Sequence, residues 1–144
     1  MRMSEDNAAV EEIRDGETIV AVIVRSSFDE PGVHFFSQPH FSQQLGVINY
    51  PVGHTIVPHV HNKLPREVMY TQETLFIRRG RCRVDLYGDD RVLLTSRELS
   101  PGDVILLSTG GHGFEILEDC VMIEVKQGPY SGDGDKTRFE ATKP

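Results

Sequence analysis
Cysteines, long apolar runs and positive charge are all in short supply in this chain of 144 residues. The longest apolar stretches, such as Thr18 to Val24, fall far short of the roughly 20 residues a membrane-spanning helix needs, which argues against a membrane protein. Lys and Arg number 15 against 22 Asp and Glu, for a formal charge of −7. Nonspecific DNA or RNA binding needs a basic surface to displace counterions, so no nucleic-acid partner is expected. Two cysteines, Cys82 and Cys120, suit reduced intracellular thiols better than a disulfide framework. Residues 1–17 carry Glu5, Asp6, Glu11, Glu12 and Asp15 and lack the continuous apolar core of a signal peptide, so a cytoplasmic location is expected. There is no internal repeat, low-complexity tract or interior domain boundary.

What remains is the composition of a single globular domain with one core, 38% apolar and 26% charged. Residues 1–17 read as a polar N-terminal arm, with a short helix around Asn7 to Ile13 or a frayed segment. Residues 18–128 read as the β domain, and residues 129–144 as a flexible polar tail in which Tyr130 and Phe139 are the groups suited to anchoring. Within the domain, TIVAVIVR is apolar on both faces and predicts a buried strand or a strand at a subunit contact. Only one face of a strand in so small a sandwich can meet the interior, so a homodimer is expected to cover the other. Further strands are predicted at VHFFSQ, QLGVINY, RVLLTS, VILLS, GHGFEIL and CVMIEVK. A hairpin of ETLFIR and RCRVDLY should bend near Arg79-Gly80, and turns should fall at Gly88-Asp89-Asp90, Ser100-Pro101-Gly102-Asp103 and Glu118-Asp119. Roughly nine short strands with turns between them indicate an antiparallel sandwich or barrel.

The chemistry concentrates between Gly53 and His112. His59 and His61 stand two apart in a run rich in Thr, Ile and Val, and alternation along a strand would put both rings on one face. His54 has the opposite parity and should face away, while His34 and His40 read as structural or surface residues. Gly53, five residues and His59-Val60-His61, followed by Glu73, six residues and Gly80, resemble the two halves of the first motif of the cupin superfamily. The link between the halves is eleven residues where the family has three or four. The stretch from Gly102-Asp103 to His112 is similar to the second motif, with Ser108 in place of its proline, one residue fewer before His112 and Ile116 at its asparagine.

The resemblance implies an all-β, antiparallel double-stranded β-helix, or jelly-roll, in a single domain. It implies one divalent transition metal (Fe, Mn, Ni, Co or Zn) held by His59, His61, Glu73 and His112, with Glu67 as the rival of Glu73. Imidazole and carboxylate donors suit any of these ions. The expected function is an enzyme of dioxygenase or sugar (sugar-phosphate) isomerase type acting on a small polar metabolite, and the alternative is a non-catalytic cupin that binds a sugar or carboxylate. Tyr70, Glu67 and Tyr50 are the candidate catalytic groups. The loop 62–72 joins the two ligand-bearing stretches, so Lys63, Arg66 and Tyr70 are placed at the pocket mouth as ligand-binding groups, with Arg66 meeting an anionic part of the ligand.

Overall fold
The computed structural model describes residues 8–141. Eight antiparallel strands make up the fold: β1 (Val10–Asp15), β2 (Thr18–Val24), β3 (Gly32–Phe35), β4 (Gly46–Asn49), β5 (Glu73–Tyr87), β6 (Leu93–Leu99), β7 (Val104–Leu107) and β8 (Gly111–Lys126). A short 3₁₀ turn, Gly132–Asp135, follows. The main sheet runs β1-β2-β7-β5-β6, with β8 on the other side of β5, and β3 and β4 form a separate hairpin. No helix among the described residues is long and apolar enough to cross a membrane. The all-β antiparallel class expected from the strand rhythm is therefore present.

Several local expectations are corrected. The helix over Asn7 to Ile13 is absent from its described part: Val10–Asp15 is a strand that pairs with β2, so the β domain begins before residue 18. Asn7 lies outside the described residues. The hairpin expected at Arg79-Gly80 is one 15-residue strand, and the expected turn at Glu118-Asp119 lies inside one 16-residue strand. Both irregularities are bulges that face each other. The β5–β8 register slips between Ile77 and Cys82, and Gly80 adopts φ 80°, where only glycine sits without strain. A Cβ on Gly80 would lie 2.0 Å from the Asp119 carbonyl oxygen, so the two chains pass too closely for any side chain. On one side of the bulge Leu75 and Ile77 point inward, on the other Cys82, Val84 and Leu86 do; the extra residue flips the parity and keeps one face apolar throughout.

This inward face joins Val20, Ala21 and Ile23 of β2, Leu99 and Ile105 in the main core. The other face of β2 is not left for a partner. Ile19 and Val22 form a second cluster with Phe41 and Leu106, with Phe36 and Leu45 packed against it. The chain segment around the β3–β4 hairpin therefore supplies the cover that the sequence assigns to a second subunit. At the predicted Ser100–Asp103 turn, Asp103 N–H donates to the Ser100 carbonyl at 3.0 Å and Gly102 takes φ 90°, as a type II turn requires. The buried Asp103 carboxylate accepts from Ser26 N, Ser100 N and Arg25, fixing this turn to the end of β2.

Between Pro51 and Tyr70 the structure forms no strand, and the backbone runs exposed over the surface. The histidine strand expected here is not formed. Pro51, Pro58 and Pro65 each lack a backbone N–H, which removes ladder donors at regular intervals. Apolar side chains on this stretch remain in water, among them Val57 at 75% and Val60 at 87% exposure.

Candidate functional site
Glu73 opens β5, and its ladder partner on β8 is Lys126; His112, near the start of β8, stands opposite Leu86 at the far end of the same ladder. A straight strand of this length would hold the two about 43 Å apart, at roughly 3.3 Å per residue. Instead the ribbon curls back on itself at the paired bulges, and His112 Nε2 lies 3.3 Å from Glu73 Oε2. Parity aims both groups inward: Glu73 shares the face of Leu75 and Ile77, and His112 the face of Leu86 opposite it. The Glu73 side chain is 14% exposed and that of His112 33%, so the contact is sheltered but reachable from outside.

The hydrogen bond from His112 holds the Glu73 carboxyl below its ordinary value; partial burial opposes this, and the nearby positive charges of Lys126 and Lys136 assist it. Glu73 is therefore an anion beside an imidazole. Such a pair can orient the ring.

The pair lies on the wall of a cavity of about 1080 Å³. Tyr70, Tyr87 and Arg91 contribute to the same wall, and so does the chain beyond residue 130. The tail is thus not a free polar segment as far as residue 141. Phe139 packs edge-on against Tyr87 at 5.2 Å between centroids, and the Arg91 guanidinium lies 5.6 Å over its ring. Gly111 permits this approach, because a Cβ there would meet Phe139 at 2.8 Å. The Asp135 carboxylate accepts a hydrogen bond from the Thr71 hydroxyl and pairs with Lys126 at 3.7 Å. Of the two aromatic residues suited to anchoring the tail, Phe139 does so, while Tyr130 stays 91% exposed.

The other predicted residues lie elsewhere. His59 and His61 are neighbours, with ring centroids 5.3 Å apart, but both are exposed on the strandless stretch, and His59 Nδ1 is 2.9 Å from the Val57 carbonyl. Lys63, Arg66 and Glu67 share that exposed stretch, outside the cavity wall, whereas Tyr70 is on the wall. Tyr50 stacks on His54 at 3.7 Å. His34 bonds to the Pro31 carbonyl, and His40 packs edge-on against Phe41. Between the two rival carboxylates, Glu73 meets a predicted histidine and Glu67 does not.

The proposed metal donors therefore come together as two pairs. A transition metal needs its nitrogen and oxygen donors about 2 Å from a single point. Among the described residues no group of three or more His, Cys, Asp or Glu side chains is placed to hold an ion. As arranged, the four residues do not fit one.

A second hollow of about 440 Å³ lies between β1 and β6, but the charges that meet there, Arg97 and Glu11, already pair at 2.8 Å. The wall groups Tyr87, Arg91, Lys136 and Arg138 lie outside the predicted site; the sequence signal for the last two is a tail in which basic residues and an aromatic one, Phe139, recur among glycines and aspartates. Compared with models of protein families, with curated proteins and with solved structures, the sequence and fold match none.

Proposed function
We propose that this chain is a cupin of the jelly-roll type that binds a small polar metabolite in the 1080 Å³ cavity and acts on it with Glu73 and His112. The observation that carries the proposal is the 3.3 Å contact between these two residues, which lie at opposite ends of the β5–β8 ladder and meet on the cavity wall. The neighbouring inward positions are filled by Leu75, Ile77 and Leu86, so the pair is a polar contact set on an otherwise apolar face. Of the chemistries the cupin resemblance implies, isomerisation through an enolised intermediate is the one this pair supports. Glu73 engages Nε2, which leaves Nδ1 of His112 to take a proton from the hydroxyl-bearing carbon beside a carbonyl and return it to the former carbonyl carbon, while the hydroxyl proton passes to the carbonyl oxygen. Tyr70, on the same wall, would bond the carbonyl oxygen.

Binding tests this first. A panel of carbonyl-bearing sugars, sugar phosphates and hydroxy acids is screened by thermal shift, and each hit is titrated against wild type, Glu73→Ala and His112→Ala. The expected result is a ligand whose affinity falls at least tenfold in both variants. A hit that binds both variants as tightly as wild type removes the pair from the site.

The metal-dependent form is the second reading, favoured by the adjacency of His59 and His61 on the stretch that leads directly into Tyr70 and Glu73. It requires that stretch to close over the cavity. Metal analysis of protein purified without added metal should then give near one equivalent, lost in His61→Ala and kept in His54→Ala. Equal content in the two variants would count against it.

A further inference from the structure
We propose that residues 131–141 form an anion-binding wall, in which Lys136 and Arg138 hold a carboxylate or phosphate group of the small molecule bound beside Glu73 and His112. This rests on the cavity being the ligand site and adds the charge class of the ligand.

The chain is acidic overall, with a formal charge of −7, yet this wall gathers Arg91, Lys136 and Arg138. Their carboxylate counterparts on it are mostly occupied. Asp135 is taken by Thr71 and Lys126, and Glu73 by His112. Asp89 is the third, exposed in the turn after β5. Arg91 is laid over the Phe139 ring. Among the described residues neither Lys136 nor Arg138 has a hydrogen-bond or ion-pair partner, although both line the cavity.

Their placement is built rather than incidental. The tail is fixed on both sides of the two cations. Ahead of them, Asp135 joins the segment to Thr71 and Lys126. Behind them, Phe139 fits the space left by Gly111 and meets Tyr87. Lys136 itself has extended backbone, with φ −138° and ψ 152°, where the 3₁₀ turn ends. Two long cations held this way beside a sheltered carboxylate–imidazole pair match a molecule with a neutral reactive part and a charged end. Arg offers a planar fork to carboxylate or phosphate oxygens, and Lys a point charge.

The test uses two simple probes, inorganic phosphate and malonate, titrated by calorimetry at low salt into the full chain and into Lys136→Ala/Arg138→Ala. Both side chains are exposed, so the double variant should melt with the wild type. At least one probe should bind the wild type and bind the double variant tenfold or more weakly; the tighter of the two names the group. Glu73→Gln should bind that probe as well as or better than wild type, which separates the anion wall from the chemistry of the pair: a metabolite that binds Glu73→Ala and His112→Ala as tightly as wild type, with this result intact, would fault the pair alone. Failure of both probes to bind, or equal binding by the wild type and the double variant, would overturn the proposal.

Discussion
Glu73 and His112, the groups of the proposed site, are a largely buried carboxylate beside a more exposed imidazole. The Glu73 carboxyl lies below its ordinary value of 4.5 when folded, chiefly through the His112 hydrogen bond. A lowered carboxylate pKa means that this contact adds stability above the unfolded value and loses it as pH falls through the folded one. In His112→Ala the largest cause of the lowering is gone, so a carboxylate NMR titration should find Glu73 titrating at higher pH than in wild type. An unchanged midpoint would mean that the contact does not exist in solution. Cys82 makes the opposite case. Burial, with Cys120 beside it, pushes its thiol up to about 11, and its side chain is inaccessible. At pH 8 only about one in a thousand of such thiols is ionised, so Cys82 should be silent to an aromatic disulfide reagent until the protein unfolds. Two rapidly reacting thiols in the native protein would contradict its placement in the core.

At the scale of elements, most strands could be read from the sequence. β2, β4 and β7 fall within the predicted runs, and β3 and β6 overlap theirs, because β-branched and apolar residues there meet a sheet on at least one face. The errors share a cause. Arg79-Gly80 and Glu118-Asp119 carry turn chemistry, and a local rule cannot tell a turn from a bulge; the distinction lies in what pairs across the chain. The switch from Leu75 and Ile77 to Cys82, Val84 and Leu86 was visible as a change of parity, and a hairpin would not need it. The histidine stretch failed differently: its period-2 pattern assumed a strand, and three prolines with no neighbouring strand denied one. The four donors that the resemblance joined into one site accordingly end as two separate pairs. Gly80 gives the sharpest test of the bulge. Left-handed backbone costs a residue with a Cβ about 1–2 kcal/mol before any clash, and the Asp119 carbonyl blocks the space. Gly80→Val should therefore destabilise by more than about 2 kcal/mol in chemical denaturation. Gly113→Ala, where a Cβ meets nothing within 4 Å, should stay within about 0.5 kcal/mol of wild type. Equal losses at the two positions would show that the ribbon is not bulged at Gly80.

For the molecule as a whole, two features remain at the surface. The strandless stretch exposes Ile56, Val57, Val60, Leu64 and Met69, and the edge strand β8 exposes Ile116, Ile123 and Val125. Apolar surface of this kind usually meets another surface. A homodimer is still the expected state, now on these faces and not on β2, whose second face is covered within the chain. Light scattering at micromolar concentration should give about twice 16.2 kDa, and a monomer would exclude it. The central claim, however, concerns the cavity and the pair on its wall. The most direct test follows solvent deuterium into a panel of carbonyl-bearing sugars and sugar phosphates by proton NMR. Wild-type protein should place deuterium on the carbon beside the carbonyl of at least one of them. General acid–base groups contribute about 10²–10⁴-fold, so His112→Ala should slow this exchange by at least about 10²-fold, while His34→Ala leaves it unchanged. Exchange that proceeds equally in His112→Ala, or no exchange into any of the panel, would contradict the account.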